Sequence, residues 1–260
     1  MSENNHSSRR PLAYKNEAFV DSSEARPLRI LSEYLEPLSH FKREKIEDTV
    51  VFFGSARLGE TGPMARYYNE ARDLAGMLTK WSDSLQNSSR RFVVCTGGGP
   101  GIMEAANRGA SDVGGKTVGL NIRLPHEQEP NPYITPELSF EFHYFFLRKF
   151  WFAYLAKALV VFPGGFGTMD EMFEVLTLVQ TQKLQKKMVI LLYGTEFWNE
   201  VVNFPALVKH GVISADDMNL FQFADDPHSA LTILQNGLTQ HYLQTKESHG
   251  EMPAIAKSLT

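Results

Sequence analysis

The segment Pro163-Gly164-Gly165-Phe166-Gly167-Thr168-Met169-Asp170-Glu171 joins a glycine turn suited to an oxyanion with a carboxylate a short way into the next helix. Glycine lets the backbone bend sharply and lets a bulky anion reach amide groups that a Cβ would shield; the helix entrance adds N–H donors and partial positive charge. Two further strand ends run into glycine, at Gly54 and at Gly97-Gly98-Gly99. One such turn is equally well a tight strand-to-helix connection, but two from neighbouring strands of one sheet face the same crevice. Arg148 starts a helix leading into the strand that ends at Pro163, so it is expected at the same edge, as a ligand-binding group or as a surface ion pair. Glu171 has two readings that spacing does not separate. Thr168-x-x-Glu171 is a capping box, and a carboxylate beside a phosphate turn is also a candidate general base.

The familiar phosphate motifs fail letter by letter. Gly97-x-Gly99 is followed three residues on by Ile102 and Gly165-x-Gly167 by Asp170, so neither completes the dinucleotide fingerprint G-x-G-x-x-G. Gly54-x4-Gly59 continues into Glu60-Thr61, a carboxylate where an ATPase loop needs lysine, and Gly115-Lys116-Thr117 has Ala110 in place of the earlier glycine. The histidines form no convincing ligand pair, so no metal is expected.

Phe145-Phe146-Leu147-Arg148-Lys149 followed by the Pro163–Glu171 string resembles the paired signature of the LONELY GUY family of cytokinin-activating phosphoribohydrolases, long labelled possible lysine decarboxylases. The resemblance takes in Gly97 to Ala110 and spans roughly residues 49 to 195. It implies a Rossmann-like homodimer or larger homo-oligomer, without cofactor, that cleaves nucleoside 5′-monophosphates to free base and ribose 5-phosphate. Arg148 and Glu171 match the family's catalytic pair and Lys149 its neighbouring basic residue. Gly164, Gly165, Gly167 and Thr168 match the phosphate loop, with Gly98 and Gly99 as the second glycine turn of the substrate site. Glu127 matches a substrate-contacting glutamate, and Thr177 follows at the spacing of another contact. Phe145 and Phe152 stand where the plant enzymes usually carry methionine, which bears on base specificity.

In such a site the ribose carbon becomes cationic as the base departs, much as in glycoside hydrolysis. Glu171 would stabilise that charge and position water, and Arg148 would neutralise charge on the base or hold phosphate and base in register. Lysine decarboxylation, the older label, needs a Schiff-base lysine for pyridoxal phosphate, and neither Lys149 nor Lys157 is in a recognisable context for it. A nucleotide-binding or sensing protein is the non-enzymatic alternative.

The elements that must position these residues alternate. Val50–Phe53, Phe92–Cys95, Thr117–Leu120, Leu159–Phe162 and Val189–Leu192 are short runs apolar on both faces, as parallel strands sandwiched by helices require. Helical patterns run from Pro63 to Trp81, Pro100 to Asp112, Leu147 to Lys157, Thr168 to Gln182, Glu196 to His210 and Pro227 to Gln244. The pattern predicts one doubly wound, mostly parallel α/β domain over residues 23–245 with ligands at the carboxyl ends of its strands. A helical lead-in from Glu24 to Ile46 is expected to kink or divide at Pro37. Arg123 to Ser139, with four prolines, reads as a long functional loop. Residues 1–22 and 246–260 read as polar, mobile tails. The aromatic cluster Phe142, Tyr144, Phe145, Phe146, Phe150, Trp151, Phe152 and Tyr154 is expected in the core or a dimer interface rather than on a purine.

The formal charge of −4 gives no general attraction to nucleic acid. Arg90-Arg91 and Lys183, Lys186, Lys187 are too short to form a basic patch. The single Cys95, expected buried in a strand, allows no intramolecular disulfide, and no apolar run approaches the ~20 residues of a membrane span. These features point to a cytoplasmic protein with neither nucleic acid nor membrane as a partner; the small-molecule nucleoside monophosphate is what the family resemblance implies.

Overall fold

Residues 10–85, 88–124 and 129–244 are described by a computed structural model. The stretch expected to be a polar tail carries, from residue 13, a 3-10 turn at Ala13–Lys15 and helix α1 (Glu17–Val20). The lead-in is helix α2 (Arg26–Arg43). Then follow β1 (Thr49–Phe53), α3 (Ala65–Ser84), β2 (Val93–Thr96), α4 (Ile102–Asp112), β3 (Thr117–Ile122), β4 (Ser139–Phe142), α5 (Phe145–Leu155) and β5 (Ala156–Val161). The chain continues through α6 (Phe166–Gln180), β6 (Val189–Tyr193), α7 (Thr195–Val201), α8 (Phe204–Lys209), β7 (Gln222–Ala224) and α9 (Pro227–Leu238).

The strands form one sheet in the order β4-β3-β2-β1-β5-β6-β7, with every neighbouring pair parallel. This is the expected Rossmann-like α/β architecture. Because side chains alternate along a strand, β1 sends Val51 and Phe53 into one core and Val50 and Phe52 into the other. The first core packs α2, α5, α6, α7 and α8 on one face; the second packs α3, α4 and α9 on the opposite face. From β1 the chain winds outward through β2, β3 and β4, then returns to the other side of β1 as β5. The strand order therefore reverses between β1 and β5, and the crevice beyond their carboxyl ends is where ligands bind in such sheets.

Four expectations need correction. Of the two outcomes expected at Pro37, division is ruled out, because α2 runs unbroken through it. A proline in mid-helix frees the carbonyl four residues back, and here that carbonyl, Glu33 O, accepts the indole N–H of buried Trp151 at 3.1 Å. The Glu33 carboxylate also accepts the backbone N–H groups of His143 (2.9 Å) and Tyr144 (3.2 Å) at the start of α5. Trp151→Phe keeps an aromatic ring in place but leaves that carbonyl unpaired, so urea unfolding should show a loss of about 1–3 kcal/mol.

The pattern from Glu196 to His210 is two helices. Asn203 caps α8 by accepting the Ala206 N–H, with Pro205 beside it in the first turn, so a new helix starts there. The end of the proline-rich stretch is ordered as a 3-10 helix at Pro136–Leu138 running into edge strand β4, and the short edge strand β7 was not anticipated. Both strands are brief and have exposed positions, so neither gives the continuous apolar run of a central strand. Finally, α9 ends at Leu238 and continues as a π-helical turn over Thr239–Leu243.

Candidate active site

Three loops meet at the carboxyl edge: the one leaving β1 at Gly54-Ser55, the Gly97–Gly101 loop leaving β2, and the Pro163–Gly165 loop leaving β5. The Ser55 N–H donates to Pro163 O at 3.0 Å, and the Ile102 N–H donates to Ser55 O at 3.1 Å, so the central loop ties the other two together. Gly165 is the N-cap of α6, and a Cβ on Gly165 or Gly167 would enter open space. A Cβ on Gly164 would instead strike the hydroxyl of buried Thr168, so glycine is needed there for close packing. The entrance of α6 thus presents free amides beside unobstructed space, the arrangement an anion requires.

The second glycine loop is braced from below. Gly98 has φ +75°, which favours glycine, and a Cβ there would overlap the Asn121 amide. The Asn131 side-chain amide donates to the carbonyls of Gly98 and Gly99, both at 3.1 Å, and to Asn107 Oδ1 at 2.9 Å. Thr96 donates its hydroxyl proton to Asn107 Oδ1 (2.7 Å) and accepts the Gly98 N–H (2.9 Å). These buried polar groups hold one another and fix the loop's course. Sequence reading missed Thr96, Asn107, Asn121 and Asn131. Two signals were available: Asn107 is a polar residue on the otherwise apolar buried face of α4, and Asn131 lies in the stretch already marked as a functional loop.

Arg148 projects from the first turn of α5 into this edge. Its Nε donates to Leu120 O at 2.8 Å and its guanidinium lies over the Phe152 ring, 5.1 Å from the centroid. A Cβ on Gly97 would come within 2.6 Å of Arg148 Nη2 and 2.9 Å of Met103 Sδ, so Gly97 leaves room for the guanidinium. Burial pushes the Arg148 pKa down, and the neighbouring Glu171 carboxylate opposes that shift.

Glu171 is buried, at 7% exposure. It does not cap α6. The N-cap is Gly165, three residues before Thr168, and no side chain caps this end. Burial is the main cause that pushes the Glu171 carboxyl up to about 7; Lys149 and Arg148 pull the other way, while Glu174 and Asp170 reinforce the rise. A desolvated carboxylate near neutrality beside an arginine is a frequent property of catalytic groups.

The remaining expected residues are dispersed. Lys149 is paired with Asp170 at 2.8 Å and with Glu174, which locks α5 to α6. Thr177 lies about three turns along α6 from the glycine entrance, exposed, its hydroxyl donating to Phe173 O at 2.7 Å. Glu127 lies outside the described residues. Of the aromatic cluster, Phe142, Tyr144, Trp151 and Phe152 are buried, whereas Phe145 and Phe146 are about half exposed. Cys95 is buried in β2, as expected. Among the described residues, no group of His, Cys, Asp and Glu is arranged to hold a metal ion, and no helix is long and apolar enough to cross a membrane.

With this geometry in view, comparison with known proteins is specific at the level of family. A family model described as possible lysine decarboxylase matches residues 103–234. The chain is 28% identical over 195 residues to a probable cytokinin riboside 5′-monophosphate phosphoribohydrolase, LOG4, of Oryza sativa subsp. japonica, covering 74% of this chain and 78% of the relative. It is 27% identical over 177 residues to the cytokinin riboside 5′-monophosphate phosphoribohydrolase LOG3 of Arabidopsis thaliana, covering 66% and 74%. The X-ray structure of TM1055, a Northeast Structural Genomics Consortium target, shares the fold with a TM-score of 0.51 at 20% identity over 73% of this chain and 99% of that one. The chain therefore belongs to the family described as possible lysine decarboxylases, the LONELY GUY family whose named relatives are phosphoribohydrolases.

Proposed function

We propose that the protein is a nucleoside 5′-monophosphate phosphoribohydrolase, acting on AMP or a cytokinin riboside monophosphate-like substrate and releasing free base and ribose 5-phosphate. The observation that carries this reading is the pair Arg148 and Glu171, a half-buried guanidinium and a buried carboxyl pushed up to about 7, beside two glycine loops at the switch point of the sheet. The 5′-phosphate would sit on the amides at the entrance of α6, against Gly164, Gly165, Gly167 and Thr168, with Gly98 and Gly99 closing the other side.

In the reaction, the bond from ribose C1′ to the base nitrogen breaks and water adds across it. The hydroxyl goes to C1′ and the proton goes to the base. Ionised Glu171 would stabilise the cationic sugar and accept a proton from the incoming water. Arg148 would offset the negative charge on the departing base. Lys149, held by Asp170 and Glu174, would keep α5 in register with α6 rather than touch substrate.

Pyridoxal phosphate, suggested by the family's description, does not fit the lysines near this edge, and Lys157, the other lysine considered, lies at the amino end of β5, away from the crevice, over the Tyr242 ring. The Lys149 amine is engaged by two carboxylates, and the buried Lys186 amine donates to Ala153 O and Tyr154 O at the far end of α5. Neither offers a free amine to the crevice.

The proposed setting is the cytoplasm, in keeping with the single buried thiol of Cys95. The proposed partner is a second copy of the chain, as a homodimer or larger homo-oligomer. Its support is the exposed Phe145, Phe146 and Phe166 at the entrances of α5 and α6, with Phe173 about two turns further along α6.

The deciding experiment incubates the protein with a panel of nucleoside monophosphates and separates the products by chromatography. Release of base with equal ribose 5-phosphate is expected. Tight binding without base release from any of them would make it a nucleotide sensor.

A further inference from the structure

Hydrolysis at this edge brings a phosphate dianion against a set of charges that is already acidic. Arg148 and Lys149 face Asp170, Glu171 and Glu174, two cations against three carboxylates. Lys149 is committed to Asp170 and Glu174, and Arg148 is turned toward Leu120 O and the Phe152 ring. The α6 entrance contributes only about half a positive charge. A dianion bound there needs a further cation.

Arg57 is in the position to supply one. It follows the central strand β1, on the loop that lies between the Gly97–Gly101 and Pro163–Gly165 loops. That loop is fixed at its root. Ser55 donates to Pro163 O and accepts the Ile102 N–H through its carbonyl, and its Oγ accepts the Arg57 N–H at 3.1 Å. Gly101, at φ +72°, lets the α4 entrance close directly on Ser55 O. Arg57 is exposed, and among the described residues no carboxylate or other acceptor engages its guanidinium. Its neighbour in charge, Arg108, is by contrast paired with Glu60, three residues beyond Arg57.

We infer that Arg57 is the phosphate-binding arginine of this site, closing from the β1 loop over the 5′-phosphate held by the α6 entrance. The inference rests on the proposed phosphate position, but not on hydrolysis. Its fork of donors matches phosphate oxygens in a way that a lysine matches less well. An exposed, unpaired arginine on a pinned loop loses little by waiting for its ligand and gains a charge-assisted contact when the phosphate arrives.

The test is calorimetric binding of ribose 5-phosphate to the full-length protein and to R57A and R57K, with AMP kinetics alongside. R57A should weaken ribose 5-phosphate binding about tenfold or more, and R57K should recover part of the loss. KM for AMP should rise by a similar factor with kcat little changed, which separates a binding role from damage to the reacting centre. Because the side chain is exposed, the melting temperature of both variants should stay at the native value. Equal affinity of R57A and native protein, or no binding of ribose 5-phosphate by native protein, overturns the assignment. Binding that depends on Arg57 with no base released from any monophosphate leaves this assignment standing and overturns the hydrolase reading instead.

Discussion

Glu171→Gln is expected to abolish most turnover while making the protein harder to unfold. Loss of a general base typically costs 10²- to 10⁴-fold in rate. The stability gain follows from burial. The Glu171 carboxyl is pushed from an ordinary 4.5 up to about 7, so between those values the folded protein holds its proton more tightly than the unfolded chain does. Stability falls as pH rises through that window, and above about 7 the full cost of an ionised buried carboxylate is present, roughly 3 kcal/mol. Glutamine carries no such cost. Thermal melts at pH 8 should show the variant several degrees above the native protein, with the difference closing toward pH 4.5. Native turnover should climb as pH approaches 7 and then level as the carboxylate becomes fully ionised. A variant that turns over AMP normally removes Glu171 from the chemistry, and one that melts below the native protein at pH 8 assigns it a structural role.

Gly97→Ala should be nearly as damaging without replacing either member of the proposed catalytic pair, Arg148 and Glu171. The added methyl would lie 2.6 Å from Arg148 Nη2 and 2.9 Å from Met103 Sδ, both at the ends of flexible side chains. The fold can absorb such a change by moving those ends, and the guanidinium is what moves. A displacement of about 1 Å in a positioning group costs on the order of 100-fold. The expected result is a far-UV spectrum and melting temperature close to native, with kcat lowered about 100-fold. Arg148→Lys should resemble it, because lysine cannot hold both the Leu120 carbonyl and a second acceptor in one plane. Native kinetics in Gly97→Ala would show that the position of the guanidinium does not matter to the reaction.

How far the molecule was legible from its residues depended on how local the governing force was. The central strands announced themselves because a buried parallel strand must be apolar on both faces, and Val50–Phe53 and Val189–Leu192 have no other way to be satisfied. The edge strands β4 and β7 are only partly buried, so Ser139–Phe142 and Gln222–Ala224 carry no such mark. Pro37 misled for a different reason. The group that rescues its helix, the Trp151 indole, lies more than a hundred residues away, and no window along the chain contains both. At the site, the glycine turns were readable as backbone requirements, whereas Glu171 was balanced between cap and catalyst by spacing alone and leaned to catalyst through Arg148 and the family signature; the cap reading falls because the N-cap of α6 is Gly165. The pairing of Lys149 with Asp170 and Glu174 depended on the approach of two helices. The Thr96, Asn107 and Asn131 network likewise exists only once a distant loop folds back over the second glycine turn.

The hold of α2 on α5 has a practical consequence for anyone who shortens this protein. Glu33 meets α5 at both its carbonyl and its carboxylate, and α5 is the helix that carries Arg148. Helix α2 is accordingly part of the support of α5. Trimming the chain to begin at Thr49 would strip the anchor from the helix that carries Arg148, and under the proposed function the injury would surface as lost turnover before it surfaced as lost secondary structure.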